Sequence, residues 1–374
     1  MTGESDIDGF LTDCLAGKAA LWPAMFDSAN VSQRVSYHGI AGLLLAREEL
    51  MHGWPDSLRH AIRAEAHLQS LWEASHHAVL AALIERLAAA GMASLVLKGT
   101  ALAYSVYADP AIRRRGDSDV LVRASDLAKA QQVLAREGFI RNEGRQLAQE
   151  TWLRTAGDGF THAVDLHWEV TGSPALNTVL RAEQFFAQPM ALPRLSPSAL
   201  APDTVSLFLH NCVNHAQHRE LGYLAGNARV LSRYRLIWCH DTFLQAADFE
   251  SSEWRSLAEK ALSAGLAKLC LSDLRQAAAI FAFAIPPEVE DTFAQASEQT
   301  PASHYLSRAS AHQRIIADFR ATAQFGDRLR LIGNHLFPSG AHLRERYPEA
   351  EKWPLPMLQL RRLAALPWRL VTRR

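Results

Sequence analysis

Asp117-Ser118-Asp119 runs straight into Val120-Leu121-Val122, and this junction constrains the fold more than any other part of the chain. An aliphatic, β-branched run behind two acids reads as a strand entering a core. Side chains two apart on a strand share a face, so both carboxylates look at one spot. Like charges that close repel unless a cation lies between them, and hard divalent ions take carboxylate oxygens. The same pair without an ion is a turn and cap motif, so the pair alone leaves both readings open.

The upstream segment favours the ion. Leu95-Val96-Leu97 is a short apolar strand that runs into Lys98-Gly99-Thr100, followed by a helical pattern in Ala101, Leu102, Tyr104, Ser105 and Tyr107. A glycine lets phosphate approach the backbone, and a new helix offers free N–H groups and the positive end of its dipole. Thr100 adds a hydroxyl and Lys98 a cation. Farther on, Thr161-His162-Ala163-Val164-Asp165-Leu166-His167 reads as another strand with Asp165 between apolar neighbours. An ionised group there needs a partner. If that strand lies beside the first, Asp165 joins Asp117 and Asp119 at one metal site. His167 shares the face of Asp165, where it serves as a support to the metal cluster, a phosphate contact, or a packing partner of Trp168.

Taken together, these motifs resemble the polymerase-β-like nucleotidyltransferase superfamily. They are closer still to a bacterial family known only as uncharacterised nucleotidyltransferases. The matching stretches are Leu97-Lys98-Gly99-Thr100-Ala101-Leu102, Tyr107-Ala108-Asp109-Pro110, Arg113 to Val122, and Val164-Asp165-Leu166-His167-Trp168. Thr100 stands where the wider superfamily often has serine, and Ser118 where an apolar residue is common, on the face away from the acids. The resemblance implies an α+β fold: a small mixed β-sheet catalytic core flanked by an N-terminal helical region and a C-terminal helical domain. It also implies Mg²⁺ chemistry, two ions with Mn²⁺ as a substitute, that moves a nucleoside monophosphate from an NTP, ATP first, to an acceptor and releases pyrophosphate. Asp117, Asp119 and Asp165 would be the catalytic and metal-holding residues. Lys98, Gly99, Thr100, Arg113 and His167 would bind the nucleotide. Relatives include toxin-like enzymes acting on RNA or protein, and a catalytically silent nucleotide-binding module is the reading from a different class.

Composition limits the acceptor. The 374 residues carry 39 Lys plus Arg against 39 Asp plus Glu, so no global field steers a long nucleic acid to the chain. A small molecule, a peptide or a protein is the expected acceptor. Cys14, Cys212, Cys239 and Cys270 are scattered with no Cys-x-x-Cys pair, which argues against structural zinc and a disulfide framework and suits the cytoplasm. The acidic start Met1-Thr2-Gly3-Glu4-Ser5-Asp6 does not read as a signal peptide, and the apolar stretch from Ala78 to Leu97 is interrupted by Glu85, Arg86 and Gly91, so neither a leader nor a membrane span is expected.

Pattern divides the chain into 1–91 (helical), 92–195 (alternating strands and helices, the catalytic core), 196–340 (helical) and a basic, Pro-interrupted tail, 341–374. Helical spacing is expected over 31–49, from Pro55 to Gly91, over 126–136, and over 204–216, 229–244, 254–264, 266–281 and 311–336. His210, His215 and His218 read as histidines lining a cleft or satisfied in the core rather than a zinc site, and His76-His77 as surface or packing residues. Arg114 and Arg115 read as solvated or as offsetting the acids. The tail, with Arg361, Arg362, Arg369, Arg373 and Arg374, is expected to pack on its own protein rather than on membrane or RNA.

Overall fold

The computed structural model describes residues 4–362 except 19–20, 143–146, 222, 226–227, 231–233, 338–339, 341–342, 345–346, 348–349 and 351. Its centre is a seven-stranded mixed sheet in the order β3-β4-β5-β2-β1-β7-β6. The strands are β1 (Ser94–Val96), β2 (Asp117–Val122), β3 (Ile140–Arg141), β4 (Gln149–Thr155), β5 (Thr161–His167), β6 (Met190–Ala191) and β7 (Leu200–Ala201). β2 runs antiparallel to β1 and parallel to β5, and β4 and β5 are antiparallel neighbours. The α+β class expected from the sequence is the class of this fold.

Helices cover both faces, and strand alternation assigns the side chains. On one face Val96, Val120, Val122, Val164 and Leu166 join the buried cluster built with the N-terminal helices α1 (Glu4–Leu15), α2 (Ser28–His38), α3 (Ala41–Ala46) and α4 (Asp56–Ala89). On the other, Leu95, Leu97 and Leu121 pack with a later set. α4 spans about 50 Å at 1.5 Å per residue. It ends as the sequence suggested: Gly91 takes φ +75, its N–H reaches the Ala88 carbonyl at 2.8 Å, and the Met92 N–H reaches Leu87 at 3.1 Å. α5 (Lys98–Ser105) follows β1, and α6 (Leu127–Arg136) stops at Gly138, φ +81.

After two one-turn helices, α7 (Pro174–Asn177) and α8 (Ala182–Phe185), the chain is mostly helical: α9 (Thr204–Leu221), α10 (Leu236–Ala247), α11 (Ser251–Ser263), α12 (Ala267–Ile280), α13 (Pro287–Gln295), α14 (Pro301–Ser307), α15 (Ala311–Ala321) and α16 (Phe325–Leu336). Three expected helices differ. The 31–49 stretch breaks at Gly39, whose left-handed φ of +70 separates α2 from α3. Arg229 and Val230 lie in a short strand, Ala228–Val230, paired with Tyr223–Ala225, and the helix starts only at Leu236; residues 231–233 of that expectation lie outside the described residues. The 311–336 helix is two, because the Thr322 hydroxyl folds back onto the Asp318 carbonyl at 2.7 Å and the next residues leave the helical path. Asp318 is buried and takes the Ser173 hydroxyl at 2.6 Å and the Tyr305 hydroxyl at 2.8 Å.

In the tail, Leu343, Tyr347, Ala350 and Leu358 form a small buried cluster of their own, and 363–374, with Arg369, Arg373 and Arg374, lie outside the described residues. No described helix is long and apolar enough to cross a membrane.

Candidate active site

Parallel pairing of β2 with β5 sets Asp119 opposite Asp165. Alternation puts Asp117, Asp119 and Leu121 of β2 and Ala163, Asp165 and His167 of β5 on the same face. Leu121 lies in the core, Asp119 is buried one step nearer the strand entrance, and Asp117 is exposed at the first residue. The acids thus sit where an apolar strand emerges from the helices packed on it.

Among the described residues, Asp119, Asp165 and His167 each offer a ligand atom within 4.8 Å of the others. Asp117 is not one of those three. His167 Nε2 is 2.9 Å from Asp119 Oδ1, and Lys98 Nζ donates to the same oxygen at 2.6 Å. His167 Nδ1 is buried with no hydrogen-bond partner. Two carboxylates and an imidazole are a donor set that could hold a divalent ion.

The electrostatics separate the three carboxyls. For Asp119, burial works against the charged form, but Lys98 and His167 outweigh it and hold the carboxyl far below its usual range. For Asp117, the protein crowding its carboxyl and the repulsion of Asp119 and Asp165 push it up to about 7. Asp165 is also raised, by burial and then by Asp119, against a hydrogen bond from Thr151. A cluster that resists full ionisation by itself is one that gains from an added cation.

Two residues that sequence reasoning did not single out hold Asp165. Gln149 Nε2 donates to Oδ2 at 2.9 Å and Thr151 Oγ1 to Oδ1 at 2.6 Å, both from β4. Their register, Thr151 opposite Asp165 and Gln149 opposite His167, places them on the acid face. A polar alternation in Gln149-x-Thr151 was the available signal.

The remaining expected site residues divide between the site and its scaffold. Lys98 and Gly99 open α5, whose first turn has no side-chain cap, so its N–H groups stay open to an anion. Thr100 does not face the carboxylates: its buried hydroxyl meets Ser118 Oγ at 2.8 Å on the opposite face of β2. Ser118 also meets His76 Nε2 at 2.6 Å, and His76 Nδ1 lies 3.2 Å from His162 Nδ1. His76 is fully buried, with its pKa pushed down to about 2 by burial and by Arg115. It is therefore part of a polar chain under the site, where the sequence offered a surface or packing residue.

Arg113 is committed elsewhere. Its Nε and Nη2 each reach the carboxylate of Asp241 on α10 at 2.8 Å, and Tyr107 Oη donates to Asp241 Oδ1 at 2.7 Å. A Cβ on Gly99 would lie 3.3 Å from the Arg113 guanidinium. The absence of a side chain at Gly99 gives this approach room, and Arg113 lies against the turn with its guanidinium held by Asp241. Arg115 is not solvated: it is buried against Glu73 of α4 at 2.7 Å, and Tyr104 Oη donates to the same oxygen at 2.6 Å. Arg114 pairs with Glu65 at 2.9 Å. His210 meets the Val170 carbonyl at 3.1 Å, while His215 pairs with Asp273 at 3.0 Å and stacks on Trp238, as does His218. His210 and His215 are buried in the core, and His218 is half-buried beside them. The four cysteines are free and buried.

No curated protein and no solved structure is significantly similar to the chain. The model of a family described as "Uncharacterised nucleotidyltransferase" matches residues 25–282, which include the whole sheet, both acidic strands and α10 with Asp241. The chain belongs to this uncharacterised nucleotidyltransferase family.

Proposed function

We propose that the protein is a divalent-metal-dependent nucleotidyltransferase that moves a nucleoside monophosphate from an NTP, ATP first, to a hydroxyl acceptor. The observation that carries this reading is the convergence of Asp119, Asp165 and His167 within 4.8 Å, beside the uncapped start of α5. Asp119, Asp165 and His167 would hold a Mg²⁺ or Mn²⁺ ion, with Asp117 supplying a further carboxylate from the open side, where a second ion would sit. Bound there, the metal supplies charge neutralisation at the triphosphate and lowers the pKa of the acceptor hydroxyl. Lys98 and the first N–H groups of α5 bind the phosphate oxygens and stabilise charge on the departing pyrophosphate. Asp165, fixed by Gln149 and Thr151, takes the acceptor proton as the acceptor oxygen bonds to the α-phosphorus and the bond to pyrophosphate breaks.

The neutral charge balance supports a small molecule, peptide or protein as acceptor over a long nucleic acid. The test is incubation of the full chain with each labelled NTP, Mg²⁺ or Mn²⁺ and cell extract, with pyrophosphate release as the readout. Release that disappears in Asp119→Asn supports transferase chemistry. NTP binding without release under every condition overturns it in favour of a silent nucleotide-binding module.

A further inference from the structure

Among the described residues, Lys98 is the one non-glycine with a left-handed backbone, at φ +49. A lysine pays for that conformation, and such strain persists where the surroundings hold it. What holds it is visible. Lys98 starts α5 immediately after β1, and its Nζ lies 2.6 Å from Asp119 Oδ1. Among the described residues, the lysine's one ion-pair contact is thus with Asp119, beside Asp165 on the same sheet face.

The same geometry sets up a conflict. Asp119 Oδ1 already receives both Lys98 Nζ and His167 Nε2. A divalent ion held by Asp119 and Asp165 would lie close to that ammonium, and two cations at such range repel. An ammonium on a flexible four-carbon stem can leave; a carboxylate fixed in a sheet cannot. The first turn of α5, where a triphosphate would lie, starts at Lys98 itself.

We propose that Lys98 is a built-in counter-cation of the carboxylate cluster: a divalent ion binds by displacing its ammonium from Asp119, and the released Nζ turns to the phosphates at the start of α5. The proposal rests on the reading of Asp119, Asp165 and His167 as a metal site. It implies that the metal-free cluster is stabilised by the chain itself. It also implies that metal and triphosphate binding support each other, since each favours the lysine's departure from Asp119.

The test measures Mn²⁺ binding to the full chain without nucleotide, from the electron paramagnetic resonance signal of free Mn²⁺, for the native protein, Lys98→Met and Lys98→Arg. Lys98→Met should bind Mn²⁺ about tenfold more tightly than the native protein, the effect of removing one partly buried competing cation. Lys98→Arg, which keeps the charge, should bind no more tightly than the native protein. Equal or weaker binding by Lys98→Met overturns the exchange while leaving the metal site standing. Absence of Mn²⁺ binding in all three at millimolar metal overturns the metal site, and the exchange with it. Thermal melting gives an independent readout that also covers a poorly folding variant. Mn²⁺ should raise the melting temperature of Lys98→Met by more than it raises that of the native protein, and a metal-independent melting temperature for Lys98→Met refutes the proposal.

Discussion

Replacing Asp241 with alanine tests whether Arg113 is scaffold or substrate contact. Asp241 is fully buried and accepts from Arg113 Nε, Arg113 Nη2 and Tyr107 Oη, all at 2.7–2.8 Å. The Arg113 side chain is 9% exposed, so the truncation strands a buried guanidinium. Breaking one side of such a pair costs about 3–5 kcal/mol, while the Tyr107 hydroxyl keeps His240 Nδ1 at 3.1 Å as a partner. Against a total stability of about 5–15 kcal/mol, Asp241→Ala should lose a large share of it. The assay is urea unfolding followed by circular dichroism, in a cycle with Arg113→Met and the double variant. If the two residues act as a pair, the double variant is less destabilised than the sum of the singles by about 2 kcal/mol, because neither charge is left alone. A triphosphate-binding Arg113 gives a different pattern. Asp241→Ala would then leave stability unchanged, and Arg113→Met would weaken NTP affinity in a well-folded protein. That pattern would refute the structural role.

Four further expectations follow from the same geometry. Asp119→Asn and Asp165→Asn should each lower pyrophosphate release at least about 100-fold, since each removes a metal-facing charge but keeps the shape; retained activity in either would exclude that residue from the mechanism. Gln149→Ala combined with Thr151→Val should lower the turnover number about tenfold, with the NTP concentration for half-maximal rate little changed, because Asp165 loses both of its fixed donors. Gly99→Ala drives a methyl to 3.3 Å from the Arg113 guanidinium and should weaken NTP binding, measured by calorimetry; unchanged binding would show that the turn yields freely. His76 is held neutral, its folded pKa depressed to about 2, so the unfolded chain binds more protons below pH 6.5 and stability falls as pH drops through that window. His76→Gln should therefore lose about 2 kcal/mol less than the native protein between pH 7 and pH 5 in urea titrations, and parallel losses would contradict a neutral buried His76.

The sequence by itself determined the parts of this protein that depend on neighbours along the chain. Period-two alternation fixed Asp117 and Asp119 on one strand face and Asp165 and His167 on another, and a glycine past a long amphipathic pattern fixed the end of α4. Local backbone geometry decides these features, so local pattern reveals them. The tertiary structure decided which long-range partner each polar group takes. Arg113 finds Asp241 128 residues later, Arg115 finds Glu73 on α4, Thr100 turns to Ser118, and Gln149 and Thr151 reach Asp165 only because β4 pairs with β5 in that register. An arginine run before two acids looks the same in sequence whether it faces phosphate, solvent or a buried carboxylate. The choice is made by desolvation, because a charge carried under the helices must pair with whatever opposite charge the packing brings there.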